Sequence, residues 1–208
     1  MSNDIKISSL QSAPIVILDF GWGNIYALES FLLRLGRAVN ILSLSEYLHR
    51  TNEVAHAIVI PGVGSAERFA TIRTADKTLL IKKLNKERLV LGICLGMQIL
   101  CRYLQEGNCS GLKIFDCDVT RFSYVHDGIH TNLGYEDVSG KMNKYGEQYF
   151  CHNFFVEAEN LKMELFDEVI LVKGHIAALL RLRNFIGVQF HPEKSGNNGL
   201  NLMRHILL

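Results

Sequence analysis

The pentapeptide Gly92-Ile93-Cys94-Leu95-Gly96 constrains the fold of this chain more than any other feature. It follows the apolar run Leu89-Val90-Leu91 and opens an apolar segment, residues 95–104, whose spacing predicts a helix. A nucleophile between two glycines at a strand-to-helix junction is the pattern of a nucleophile elbow, here with cysteine in the serine position. The turn is so tight that a Cβ on its neighbours would clash, and it presents the central side chain outward. The free N–H groups and dipole at a helix start favour thiolate over thiol.

Such an elbow requires a strand with helices around it, and the remaining pattern supplies them. Short apolar runs occupy residues 15–18 (ending at Asp19), 39–42, 57–60 (closed by Pro61-Gly62) and 88–93. Residues 24–35 carry helical spacing through Ile25, Leu28, Phe31, Leu32 and Leu35, and stop at Gly36; residues 79–84 read as the end of another helix. Continuous apolar strands alternating with helices predict an α/β fold with a mixed, mostly parallel sheet covered by helices on both faces. After about Gly107 the runs become short and aromatic. Residues 150–156, 169–172 and 176–182 read as antiparallel strands, 184–190 as a buried strand and 199–207 as a closing helix.

The chain's 208 residues, 48% apolar and 21% charged, suit one soluble domain spanning 1–208, with residues 1–13 a short polar extension. No apolar run is long enough to span a membrane, and the N-terminus has no apolar signal core. A net charge of +1 without a basic block argues against nucleic acid. Five cysteines, odd in number and without a Cys-x-x-Cys pair, point to a reduced cytoplasmic setting rather than a zinc site or disulfide framework.

Two more segments carry chemistry. Pro61-Gly62-Val63-Gly64-Ser65 ends a strand. An elbow needs a second oxyanion donor besides the N–H after the nucleophile, here Leu95, and Gly62, Val63 and Gly64 are candidates for it. A plain strand-to-helix turn explains the same residues equally well. In Gly187-Val188-Gln189-Phe190-His191-Pro192-Glu193, His191 follows a buried strand at the edge where α/β sites lie. It can take the thiol proton and later protonate a leaving amine, and Glu193 can fix its tautomer. Three signals are weaker. Gly21-Trp22-Gly23-Asn24 resembles a dinucleotide fingerprint, but Tyr26 holds the third glycine position. His126 and His130 are spaced for a metal on a helix, yet Gly128 makes them loop residues. Cys101 reads as core filler.

Taken together, Gly-Ile-Cys-Leu-Gly-Met-Gln and Gln-Phe-His-Pro-Glu-Lys-Ser resemble the class I (triad) glutamine amidotransferases, from Ile15 to the C-terminus. Within that class the chain looks like the HisH-type glutaminase subunits of imidazole glycerol phosphate synthase, on Asp19-Phe20-Gly21-Trp22-Gly23-Asn24, Pro61-Gly62-Val63-Gly64, Tyr149-Phe150-Cys151-His152 and Lys194-Ser195. The resemblance implies a flavodoxin-like core and a Cys94-His191-Glu193 triad. It implies oxyanion donors from Gly62, Val63, Gly64 and Leu95, and glutamine held by Gln98 with Asn153 and Phe154 capping its amino-acid end. No metal or organic cofactor is implied. It also implies docking on a HisF-type (β/α)8-barrel synthase through Asn24, Tyr135 and Lys194, with ammonia passing to a nucleotide-derived acceptor in histidine biosynthesis. The family usually has Pro-x-x-Gly-Trp-Asn where this chain has Thr131-Asn132-Leu133-Gly134-Tyr135-Glu136, and Tyr where it has Phe20. A HisH-like paralogue feeding another acceptor, such as a surface-polysaccharide sugar, is the alternative reading.

Overall fold

The computed structural model describes residues 13–22, 25–51, 54–62, 64–122, 131–138 and 145–208. Of the features singled out above, Gly23, Asn24, Val63, His126, Gly128, His130 and residues 1–12 of the extension lie outside them. The strands are β1 (Ile15–Asp19), β2 (Val39–Ser43), β3 (Ala57–Ile60), β4 (Val90–Ile93), β5 (Cys101–Leu104), β6 (Cys109–Ser110), β7 (Phe115–Arg121), β8 (Asn132–Asp137), β9 (Glu147–His152), β10 (Phe154–Phe155), β11 (Glu168–Val172), β12 (Ile176–Leu182) and β13 (Phe185–Val188). The helices are α1 (Ile25–Leu33), α2 (Leu44–His49), α3 (Ala66–Ala70), α4 (Thr74–Leu84), α5 (Leu95–Leu100) and α6 (Gly196–Leu207).

The main sheet runs β11-β12-β13-β4-β3-β1-β2. Its five strands from β13 to β2 are parallel, and the β11–β12 hairpin adds antiparallel strands at one edge. The parallel part has the doubly wound, flavodoxin-like order. Alternate side chains of β1 enter different cores. Ile15 and Ile17 pack with Leu28, Phe31 and Leu32 of α1 and with Leu202 and Met203 of α6. Val16 and Leu18 pack with Tyr47 and Leu48 of α2, Phe69 of α3, Leu80 and Leu84 of α4, and Met97 and Leu100 of α5. Burial on both faces explains why the inner strands of this sheet read as unbroken apolar runs. The remaining strands form a four-stranded sheet, β10-β7-β5-β6, and the β8–β9 hairpin.

Two elements depart from the sequence reading. Residues 150–156 do not form one strand but divide at Asn153 between β9 and β10, which lie in different sheets. The apolar run 95–104 is a six-residue helix followed by a strand. The carbonyls of Ile99, Leu100, Cys101 and Arg102 accept hydrogen bonds from a returning segment: Leu112, Ile114, Lys113 and Gly111 respectively, at 2.8–3.0 Å. Gly111 fits there because an added Cβ would lie 2.2 Å from the Cys101 carbonyl oxygen. The carbonyls that would continue the helix are thus taken by residues more distant in sequence, and local spacing could not show it. Cys101 is fully buried, as a filler residue should be. No described helix is long and apolar enough to cross a membrane.

Candidate active site

The sheet order puts the carboxyl ends of β3, β4 and β13 side by side, and the three motif segments leave from those ends. After β4 the chain turns sharply at Cys94, whose φ of 48° and ψ of −106° are costly for a residue with a Cβ. Its N–H donates to the Val188 carbonyl at 2.7 Å, tying the turn to β13. The flanking glycines are sterically required. A Cβ on Gly92 would lie 2.6 Å from the Gly96 carbonyl carbon, and one on Gly96 would lie 2.2 Å from the Ile60 carbonyl oxygen. Gly62 abuts the elbow as closely, since its Cβ would lie 2.9 Å from that of Cys94. Gly64 has φ +129° and packs under Trp22, which stacks on Phe20 with ring centroids 5.3 Å apart.

His191 leaves β13 through Gln189 and Phe190, and its backbone N–H donates to the Tyr149 carbonyl at 2.8 Å. The following 3-10 turn, Pro192–Lys194, brings Glu193 back under the ring. Glu193 Oε1 lies 2.7 Å from His191 Nδ1, so Nδ1 carries the hydrogen and Nε2 is left to face the Cys94 sulfur, which acts on the ring's proton affinity. Burial alone would lower the imidazole's affinity for a proton. Cys94 and Glu193 outweigh it and raise His191 from 6.5 to about 10. Glu193 Oε2 is buried with no hydrogen-bond partner among the described residues. Ser195 braces the turn, donating to the His191 carbonyl at 2.7 Å and accepting from Tyr149 N–H at 2.9 Å.

Beside the elbow is a cavity of about 220 Å³ lined by Gly62, Gly64, Cys94, Leu95, Gln98 and Phe154, with Asn153, Glu106, Thr131, Cys151 and His152 completing it. The anticipated Gln98 donates from Nε2 to the Phe154 carbonyl at 3.0 Å and to Gln189 Oε1 at 3.2 Å. Asn153 accepts from the Thr131 hydroxyl at 2.6 Å. Glu106, Thr131, Cys151 and His152 were missed as cavity residues. Glu106 follows β5 and accepts from the Ala66 N–H at the start of α3 at 2.9 Å, a placement that depends on the early end of α5. Cys151 and His152 lie in the Tyr149-Phe150-Cys151-His152 segment, so the available signal was that motif. Because α5 has only six residues, its dipole is smaller than a ten-residue helix would give, and the groups around the cysteine sulfur matter more.

Tyr135 lies on the outward face of β8 and is 56% exposed. Its hydroxyl donates to the Lys194 carbonyl at 3.2 Å, and Lys194 Nζ lies 5.7 Å from the Tyr149 ring centroid. These two anticipated interface residues therefore share one surface beside the His191–Lys194 segment. Leu133, on the same strand face, is 64% exposed.

The chain matches the class I glutamine amidotransferase family over residues 16–207. It is 32% identical over 202 residues to the imidazole glycerol phosphate synthase subunit HisH of Bacteroides fragilis strain YCH46, covering 93% of this chain and 98% of that one. The protein of the same name from Bacteroides thetaiotaomicron is 33% identical over 203 residues, covering 93% and 98%. That of Staphylococcus aureus strain N315 is 30% identical over 198 residues, covering 93% and 96%. Among solved structures, a glutamine amidotransferase crystal structure matches with TM-score 0.69 at 17% identity, covering 93% of this chain and 96% of that one. The structure of PurLQS from Thermotoga maritima matches with TM-score 0.66 at 15% identity, covering 94% and 98%. At those identities the structural likeness shows the fold alone.

Proposed function

The chain belongs to the class I glutamine amidotransferases and is a glutamine-hydrolysing enzyme, and on that premise we propose that it is the glutaminase subunit of a two-protein synthase. It hydrolyses glutamine through a Cys94-His191-Glu193 triad and passes the ammonia to a HisF-type (β/α)8-barrel partner that forms imidazole glycerol phosphate in histidine biosynthesis. The observation that carries this reading is a strained cysteine at the wall of a cavity, with a Glu193-bound imidazole beside it. The names of the relatives support the pathway and the kind of partner. The exposed Leu133 and Tyr135 beside Lys194 support a docking surface there.

In this mechanism the Cys94 sulfur attacks the side-chain carboxamide carbon of glutamine, and the carbonyl electrons move to oxygen. The N–H of Leu95 and the Gly62-Val63-Gly64 loop hold that oxyanion. The C–N bond then breaks as His191 gives its Nε2 proton to the departing nitrogen, which leaves as ammonia, and a γ-glutamyl thioester remains. Water gives a proton to His191 as its oxygen attacks the thioester carbon. Collapse expels the Cys94 thiolate and frees glutamate. Glu193 keeps the hydrogen on Nδ1, so that Nε2 can cycle. With its amide hydrogens engaged, Gln98 offers Oε1 to the substrate, and the Glu106 carboxylate suits the α-ammonium. Asn153 and Phe154 close the amino-acid end. The reaction uses no cofactor. We read residues 1–208 as one domain working in the cytoplasm, a reading supported by five unpaired cysteines.

Glutamate release is measured with the purified chain alone, with the same organism's HisF-type barrel, and with barrel plus its nucleotide ligand. A low rate alone and a large rise with barrel and ligand is the expected result. No rise with a competent barrel overturns the histidine-pathway assignment. It leaves the glutamine chemistry standing and favours the paralogue, to which the departures at Thr131, Tyr135 and Glu136 also point.

A further inference from the structure

A buried row of polar side chains runs from the surface to the nucleophile, and most of it has no part in the steps above. Lys173 Nζ donates to Asn132 Oδ1 at 2.8 Å, and Asn132 Nδ2 lies 3.3 Å from His152 Nε2. His152 Nδ1 lies 2.9 Å from the Phe154 carbonyl oxygen, which also accepts from Gln98 Nε2 at 3.0 Å. Gln98 Nε2 reaches Gln189 Oε1 at 3.2 Å, and Gln189 Nε2 lies 3.5 Å from the Cys94 sulfur. Gln189 itself is fully buried.

The orientation of the whole row follows from one atom. A carbonyl oxygen only accepts, so both groups facing Phe154 must donate. His152 therefore carries its hydrogen on Nδ1, and its Nε2 accepts from Asn132. Gln98 turns its NH2 toward Phe154, and the second hydrogen of that NH2 meets Gln189 Oε1. Gln189 must then aim its own NH2 at the sulfur. Turning any one of these groups would set donor against donor or acceptor against acceptor along the row. His152 is suited to this place. Burial drives its affinity for a proton down to about 4, despite the bond to Phe154, so Nε2 remains an acceptor near neutral pH.

We infer that Gln189 is a hydrogen-bond donor to the Cys94 sulfur, in addition to the His191 ring that faces it, and that His152 is the positioning residue that fixes its direction. A donor to sulfur favours the thiolate. Gln189 keeps donating when His191 has given up its Nε2 proton, and it is in place when the thioester breaks and the electron pair returns to sulfur. This deepens the proposed function by resting on Cys94 as its nucleophile, but its test needs no glutamine.

The test is the pH profile of Cys94 alkylation by iodoacetamide, resolved from Cys151 by peptide mass, in the full chain with and without the Gln189→Met change. Loss of one bond to a charged group should move the profile up by about one pH unit, so that alkylation below it is about tenfold slower. Glutaminase kcat should fall more than KM rises. His152→Leu should give the same displacement, and His152→Gln, which restores an N–H to Phe154, should largely reverse it. In the unmodified chain the Gln189 side-chain amide NMR signal should titrate with Cys94 and lose that response in Cys94→Ser, which reads the bond even where Gln189→Met fails to fold. An unchanged alkylation profile in folded Gln189→Met, or an amide signal blind to Cys94, overturns the inference. Displaced profiles in a chain that hydrolyses no glutamine would refute the proposed function and leave this inference standing.

Discussion

Gly96→Ala tests the elbow by a change of one methyl group. The new Cβ would lie 2.2 Å from the Ile60 carbonyl oxygen, 2.9 Å from the carbon of that carbonyl and 3.1 Å from Ile60 Cγ2. An ordinary contact needs more than an ångström of extra room. β3 cannot give it, because it is hydrogen-bonded between β1 and β4 in the middle of the sheet. The helix α5 must move instead, and Cys94 and Leu95 lie at its start. Overpacking of this kind costs about 1–3 kcal/mol, or roughly 2–12 °C in Tm for a chain of this size. A displacement of about 1 Å at the reacting group costs on the order of 10²-fold in rate. The assays are thermal denaturation and glutamate release in the presence of the synthase partner, with Cys94 alkylation as a check that the thiol is still reachable. A Gly96→Ala protein with unaltered Tm and kcat/KM would refute the steric account of the elbow. A lowered Tm with full activity would show that the nucleophile's position does not depend on the contact between α5 and β3.

Other perturbations separate the members of the site. Cys94→Ala should abolish glutamine hydrolysis without unfolding the chain and, by removing the sulfur, let His191 titrate by NMR well below about 10; retained hydrolysis would remove Cys94 from the mechanism. Glu193→Gln, which replaces the carboxylate 2.7 Å from Nδ1 and can hold the wrong tautomer, should lower kcat by roughly 10³–10⁴-fold in steady-state assays, and a loss under tenfold would sink its role as orienter. For His152, ordinarily at 6.5 and in this site at about 4, the unfolded chain takes up the proton first. Stability should therefore fall by up to about 3 kcal/mol as pH drops from 6.5 to 4. Urea denaturation across that range should show a flatter slope for His152→Gln, and an identical slope would contradict the buried neutral ring. Lys194→Ala should reduce stimulation by the barrel partner with little change in Tm, and unchanged affinity and stimulation would take Lys194 out of the interface.

Much of this protein was legible locally. The strands at 15–18, 57–60 and within 88–93 showed as apolar runs because both faces of the sheet are buried there, and that pattern is carried by the strand residues themselves; the edge strand at 39–42 is only half-buried, with Asn40 exposed. The elbow was legible for a similar reason. Gly92 answers a steric demand made by Gly96 four residues on, and Glu193 reaches His191 across a single 3-10 turn, whereas the contact that requires Gly96 is with Ile60 on β3. Tertiary structure decided the rest, because the deciding partners are distant in sequence. Residues 111–114 take the carbonyls that would have carried α5 past Leu100. That early end positions β5 and, after it, Glu106 at the cavity. The direction of the Gln189 amide depends on the Phe154 carbonyl through Gln98, and no periodicity or motif records it, since a hydrogen bond between residues far apart leaves no trace in the spacing of either.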